Sequence, residues 1–253
     1  MTDNNTHLVI PDTQVKPGTP VAHLHALGRL IQEHQPDTII HLGDHWDMPS
    51  LSGYDGVGSK SMEGRRYIQD IDAGNRAMDI LNEYIHSVQG YSPRLVFLMG
   101  NHEHRIERAI ETEPRKLDGV IGYADFTSLS EGGWETHEYL EVVKIDGVFY
   151  SHAFVNQFSG KPIGGTVQNR LNKLKCSFTQ GHVQMFQYGE EYLQNGRVIQ
   201  GVVAGAFYMH NEDYKGPQGN NHWRGVIYKS NVDRGTYDLE MIRLQTLLRD
   251  YGE

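Results

Sequence analysis

Short apolar runs separated by longer amphipathic stretches open the chain. "THLVI" is stopped by Pro11, and "DTIIHL" and "RLVFLM" each end at a glycine. Apolar runs of this length, rich in β-branched residues and bounded by Gly or Pro, predict buried strands. Between the first two, "TPVAHLHALGRLIQEHQP" places apolar residues at helical spacing, with Thr19 as the predicted N-cap, Pro20 in the first turn and Pro36 closing the element. Between the second and third, Ile68, Ile71, Met78, Leu81 and Ile85 recur at intervals that predict a long amphipathic helix. The Gly- and Ser-rich stretch 49–66 ahead of that helix reads as a loop-rich insert. The first half is therefore β-α-β-α-β.

The second half changes to hairpins. "EVVKIDGVFYSH" turns at Asp146-Gly147, "EEYLQNGRVIQGVV" at Asn195-Gly196, and "HWRGVIYKSNVDRGTYDLEMIRL" between Asp233 and Gly235. "GGTVQNRLNKLK" reads as a helix between the first two. βαβ units followed by hairpins predict an α/β fold of two packed mixed β-sheets flanked by helices. With no break in composition, the 253 residues read as a single domain over 1–253 that carries the 49–66 insert.

Composition narrows the setting. The chain is 38% hydrophobic and 22% charged, in the ordinary globular range. No apolar run approaches the roughly 18 residues of a membrane span, and the first residues carry no basic, apolar leader pattern, so a soluble, cytoplasmic protein is expected. A single cysteine, Cys176, rules out an internal disulfide in this chain and fits a reducing compartment. A net charge of −9 argues against broad nucleic-acid binding. It leaves room for a local basic groove built from "EGRRY", "EHRIER" or "QNRLNKLKC".

The candidate chemistry lies where the predicted strands end. "PDTQ" brings Asp12 and Gln14; "GDHWD" brings Asp44 and Asp47; "GNHEHR" brings Asn101, His102 and Arg105. "YSH" adds His152, and "GHVQ" adds His182 and Gln184, which point the same way if the chain there is extended. Singly, each has a commonplace reading as a turn, a cap or a packing histidine. Together, oxygen and imidazole donors at the same position of five consecutive strands suit a dinuclear divalent-metal site, because open α/β sheets bind ligands outside the carboxyl ends of their strands. Asp47 has a turn cap as its alternative role, and Arg105 an ion pair with Glu103 or Glu107. His45 and His104 are at most substrate-facing, and His41 packs. His210 and His222 flank "NEDYKGPQGNN", which reads as a connector, with a loop over the site as the alternative.

In that order, "DTQ", "GDHWD", "GNHE", "SH" and "GHVQ" resemble the pattern of the calcineurin-like metallophosphoesterases, over nearly the whole span from Asp12 to Gln184. "KSMEGRRY" and "DYKGPQGNNHWRG" resemble more narrowly the members encoded by phages and prophages, which implies the cytoplasm of a bacterial host. The resemblance implies a four-layer αββα sandwich and two divalent ions bridged by Asp44. One ion would take Asn101, His152 and His182, and the other Asp12 with the positions of Gln14 and Gln184, where the family pattern has histidine. His102 would be the proton donor, Asp47 its orienting carboxylate, and Arg105 a phosphate contact. Two amide oxygens in place of two imidazoles favour Mn²⁺, with Mg²⁺, Zn²⁺ and Fe as alternatives, or else leave that first site weak or empty.

The implied activity is phosphoric ester hydrolysis by a hydroxide held between two ions. The substrate expected first is a phosphodiester, in DNA, RNA or a nucleotide. A phosphomonoesterase or protein phosphatase, and a non-catalytic metal-binding scaffold, are the alternatives; intact His102 and Asp47 weigh against the scaffold. Nothing in the sequence specifies the oligomeric state.

Overall fold

The computed structural model describes residues 5–53, 62–212 and 216–252. Two sheets run through it. The first has six strands in the order β11-β10-β1-β2-β3-β4, built from His7–Ile10 (β1), Thr38–His41 (β2), Arg94–Leu98 (β3), Glu135–His137 (β4), Gly225–Asp233 (β10) and Thr236–Arg243 (β11). The second has five in the order β5-β6-β7-β9-β8, from Val143–Ile145 (β5), Val148–Ser151 (β6), Phe178–Gln180 (β7), Phe186–Tyr192 (β8) and Val198–Ala204 (β9). Strands β1 to β4 are parallel and β10 joins β1 antiparallel; β6, β7 and β9 are parallel, with β5 and β8 antiparallel at the edges. Both sheets are therefore mixed, as expected.

The two-residue period of the strands decides the layering. Leu8 and Ile10 face outward with Ile39 and Phe97, onto helices Ala22–His34 (α1) and Tyr67–His86 (α2). Val9, Ile40, Val96 and Leu98 face inward, against Ile145, Val148, Tyr150 and Val202 of the second sheet. Burial on both faces explains why these strands read as continuous apolar runs. Short helices Arg105–Thr112 (α3), Pro114–Leu117 (α4) and Thr127–Glu131 (α5) follow β3. Helix Val167–Leu174 (α6) covers the outer face of the second sheet through Val167 and Leu171 on Phe178 and Ile199. Its N-cap is Thr166, whose hydroxyl accepts the Asn169 N–H at 3.3 Å. Gly216–Gly219 (α7) and Leu244–Tyr251 (α8) complete the helices. Helices outside and sheets inside give the αββα sandwich.

All three hairpins turn where the Asp-Gly, Asn-Gly and Arg-Gly pairs predict. The N-cap of α1 is displaced: Thr19 closes a turn instead, its hydroxyl donating to the Lys16 carbonyl at 2.8 Å, and the helix begins at Ala22 after Val21. Strand β4 and helix α8 have no clear sequence signal. β4 is three half-exposed polar residues held at the sheet edge by an Arg94–Glu135 pair at 2.8 Å, and α8 follows β11 without a breaker, burying Leu244 and Leu247 in the α1 layer. The predicted 49–66 insert lies partly outside the described residues; its start is a single 3₁₀ turn at Pro49–Leu51. No helix among the described residues is long and apolar enough to cross a membrane.

A polar cluster interrupts the apolar layer between the sheets. Lys229 is fully buried and donates to the Thr179 hydroxyl at 2.5 Å and the Tyr150 hydroxyl at 3.2 Å; Tyr150 in turn lies 2.7 Å from His7 Nδ1, and His7 Nε2 lies 3.0 Å from Asp146. Burial drives the Lys229 ammonium well below its ordinary value. The unfolded chain keeps the ordinary value of 10.5, so it binds more protons, and this group makes stability climb as pH rises from neutral toward that value. Lys229→Met should therefore raise the thermal midpoint at neutral pH and remove that part of the alkaline climb. A lower midpoint with the climb intact, in thermal melts across that range, would show Lys229 to be stabilising and charged.

Candidate metal centre

The carboxyl ends of β1, β2, β3, β6 and β7 meet at one rim, and the loops that follow them are stitched together by backbone. Gln14 N–H donates to the Asp44 carbonyl at 2.9 Å, Val15 N–H to His45 at 2.7 Å, and Asp47 N–H back to Val15 at 2.9 Å. Gln14, Asp44 and His182 all adopt positive φ (46°, 51° and 64°), the left-handed region that costs a side-chain-bearing residue energy. The glycine before each polar group is sterically required at two places. A Cβ on Gly100 would sit 2.2 Å from Asp44 Oδ1, and one on Gly181 would sit 2.7 Å from Asp12 Oδ1.

One buried carboxylate holds the two central loops. Glu103 Oε1 accepts the N–H groups of His45 (2.7 Å) and Trp46 (2.9 Å), and Oε2 those of Asp44 (2.9 Å) and Gly100 (2.8 Å). Burial and the Asp44 charge nevertheless push it up to about 7. Sequence reasoning gives Glu103 no such role. Its signal was its place inside "GNHE", between two candidate site residues.

Asp44, His152 and His182 each present a ligand atom within 4.8 Å of the others. Asn101 Oδ1 joins them, 2.6 Å from His182 Nδ1 and 3.0 Å from His152 Nε2. The state of His152 is fixed from behind: its Nδ1 lies 2.6 Å from the Leu42 carbonyl and must donate there. Burial holds His152 below the usual imidazole range in spite of the Asp44 carboxylate, so the ring is neutral and Nε2 is a bare lone pair. That lone pair faces Asn101 Oδ1, with Asp44 Oδ1 at 3.5 Å. Three acceptors turned toward one another is an arrangement that a cation satisfies, and a carbonyl-anchored histidine is the usual support of a metal ligand.

The second group is oxygen-rich. Asp12 Oδ1 accepts the His182 N–H at 3.1 Å, while Asp12 Oδ2 and Gln14 Oε1 are buried without a hydrogen-bond partner. Gln14 Nε2 donates to Asp44 Oδ2 at 3.3 Å. Gln184 is tied differently: its amide oxygen accepts from the Tyr208 hydroxyl at 2.8 Å. Burial and the Asp44 charge raise Asp12 well above the carboxylate range, and burial would raise Asp44 too, but the His102 charge and the bond from the His102 backbone N–H bring it below. A hard divalent cation fits this donor set.

His102 and Asp47 pair as the sequence implies, with His102 Nδ1 2.8 Å from Asp47 Oδ1. Burial opposes the charge on His102, but Asp44 and Asp47 outweigh it and raise the ring to about 9. Arg105 pairs with neither Glu103 nor Glu107 here. It donates to the Asp47 carbonyl at 2.7 Å and the Met48 carbonyl at 3.1 Å, and its Nη2 lies 3.3 Å from His102 Nε2.

His45 is corrected from substrate-facing to structural: it is fully buried, 2.7 Å from the Thr13 hydroxyl and 3.0 Å from the Gly74 carbonyl. His104 is half-buried against Tyr139, while His41 packs on Phe97 as expected. The segment after β9 is more than a connector, because Tyr208 reaches Gln184 and Glu212 reaches Lys16 at 2.8 Å. Residues 213–215 of "NEDYKGPQGNN" lie outside the described residues. The helix α6 offers less of a basic face than its sequence suggests, since Arg170 is buried and bonded to the Gly165 carbonyl and Lys175 pairs with Glu191 at 2.7 Å.

A two-sheet sandwich with such a cluster at its strand ends is the architecture of a metal-dependent phosphoesterase. The family model for calcineurin-like phosphoesterases matches residues 6–225, and the chain belongs to that family. Solved structures align at lower similarity. Yfce, a phosphoesterase from E. coli, matches at 10% identity over 94% of this chain and 99% of that one, with a TM-score of 0.41. A second crystal structure matches at 13% identity with the same coverages and a TM-score of 0.37. No curated protein matches.

Glu103→Gln should test the carboxylate clamp. An amide turns an NH₂ group toward two backbone N–H donors, at a cost of about 2–3 kcal/mol. The expected outcome is a lower thermal midpoint together with weaker Mn²⁺ binding by calorimetry. Unchanged values for both would show that the loops hold without it.

Proposed function

We propose that the chain hydrolyses a phosphodiester, in a nucleic acid or a nucleotide, at a two-ion centre, with His102 delivering a proton to the leaving oxygen. The observation that carries the metal reading is the lone pair of His152, turned toward Asn101 Oδ1 and Asp44 while its other nitrogen is committed to Leu42. One ion would be held by Asp44, Asn101, His152 and His182, the other by Asp12, Asp44, Gln14 and Gln184. Buried, unpartnered oxygens on Asp12 and Gln14 support occupation of this second group, and their hardness favours Mn²⁺ or Mg²⁺ over Zn²⁺. When bound, such ions supply Lewis acidity to water and to the phosphoryl oxygens.

The remaining steps fall to side chains. His102 gives its Nε2 proton to the ester oxygen as the phosphorus–oxygen bond breaks, and Asp47 keeps the ring oriented. Arg105 braces the Asp47 backbone beside His102, with its guanidinium half spent on carbonyls. A diester is favoured over a monoester by charge. The cations beside the reacting centre, Lys16 and Arg105, already serve carboxylates or carbonyls, which suits a monoanion better than a dianion.

His102→Ala should lower turnover of an alkyl diester by about 10²–10⁴-fold and leave metal content unchanged. Loss of metal would make His102 a ligand, and undiminished turnover would remove the acid. A higher kcat/KM on bis-para-nitrophenyl phosphate than on para-nitrophenyl phosphate is expected. The reverse order would establish a phosphomonoesterase, and no turnover with any divalent ion would leave a binding scaffold.

A further inference from the structure

We infer that Lys16 is a positioning residue for leaving-group protonation, locking the Asp47 carboxylate against His102 from an anchor on Glu212. The inference rests on the reading of His102 as the proton donor. Asp47 is gripped at both oxygens by different partners: Oδ1 lies 2.8 Å from His102 Nδ1, and Oδ2 lies 3.0 Å from Lys16 Nζ. Lys16 Nζ also lies 2.8 Å from Glu212 Oε2. The three side chains are 8%, 26% and 2% exposed for Asp47, Lys16 and Glu212, so the bridge is shielded on the two acids and wetted only at the lysine.

Glu212 is itself fixed. His210 Nε2 lies 2.7 Å from its other oxygen, its N–H donates to Asn220 Oδ1 at 2.9 Å, and its carbonyl accepts from Asn220 Nδ2 at 2.9 Å. Lys16 is fixed as well, through the Thr19 turn and through the backbone bond from Asp47 N–H to Val15. A lysine held at both ends sets the rotation of the carboxylate that it touches.

That rotation matters because His102 Nδ1 has a second acceptor. The Asp47 carbonyl lies 2.9 Å away, almost as near as Oδ1. An aspartate carboxylate turns about a broad, soft torsion. Without Lys16 its Oδ2 loses its grip and only His102 and the more distant Arg105 Nη1, 3.9 Å from Oδ1, restrain the turn, so the imidazole can settle on the neutral carbonyl where it had a charged partner. The ring then stays in place but loses the carboxylate contact that aligns it for proton delivery. Glu212 extends the same constraint into the segment after β9, whose Tyr208 also holds Gln184.

The test is a leaving-group comparison. Turnover with Mn²⁺ is measured on bis-para-nitrophenyl phosphate, whose leaving group needs no proton, and on dithymidine monophosphate, whose alkoxide does. If only monoesters are hydrolysed, para-nitrophenyl phosphate and glycerol phosphate replace them. Lys16→Met is expected to lower kcat on the alkyl ester by about tenfold or more while costing the aryl ester about twofold or less, with KM little changed. Glu212→Gln should shift the two esters in the same unequal way, and Lys16→Arg should restore the alkyl ester.

Equal losses on both esters, or no loss on either, would overturn the role of Lys16. A Lys16→Met chain that fails to fold moves the decision to Glu212→Gln and Lys16→Arg, read by the same ratio. His102→Ala run beside them separates the two claims. If it spares the alkyl ester, the proton-donor reading fails. If it alone discriminates between the esters, only the Lys16 inference does.

Discussion

Four backbone N–H groups converge on the carboxylate of Glu103, and the polar rim of the molecule depends on that convergence. The groups come from the loop after β2 and from the residue before Asn101, so a single buried carboxyl group sets the separation of the two segments that carry Asp44, Asp47, Asn101 and His102. With its backbone donors bound to Glu103, the loop after β2 presents Asp44 and Asp47 to the rim while His45 and Trp46 pack inside. The strain of positive φ at Gln14, Asp44 and His182 is stored against this clamp and against the Gly100 and Gly181 close approaches.

Much of the sandwich could be read from the chain because the central strands of the first sheet are buried on two faces. Continuous apolar runs that end at glycine mark β1, β2 and β3, and Asp-Gly and Asn-Gly pairs mark hairpins whose geometry is local. Elements made by tertiary context left no such trace. β4 is three polar residues paired to an edge, and α8 leans on α1 without a start signal. Thr19 carried a cap signature that its neighbour Lys16 claimed for a turn.

The candidate ligands were legible for a similar reason. Their positions follow strands, and topology places strand ends together whatever the loops do. The residues that tune them were not. Glu103, Lys16, Tyr208 and Glu212 act across separations that no local pattern encodes, as in the pairing of Lys16 with Glu212 at 2.8 Å. His45 misled in the opposite direction, lying inside "GDHWD" yet fully buried on Thr13 and Gly74.

The family implied imidazoles where this chain has Gln14 and Gln184, and the structure gives the two glutamines different surroundings. Gln14 is fully buried with an unpartnered oxygen and its amide nitrogen on Asp44, and Gln184 is held by Tyr208. A hardened oxygen site beside a histidine-bearing one is the account's central claim. Elemental analysis of Mn²⁺ per chain, on the native protein and on Gln14→Leu, tests it most directly. Two ions in the native chain and one in the variant are predicted. One ion in both would contradict it and mark the Gln14 site as surrendered.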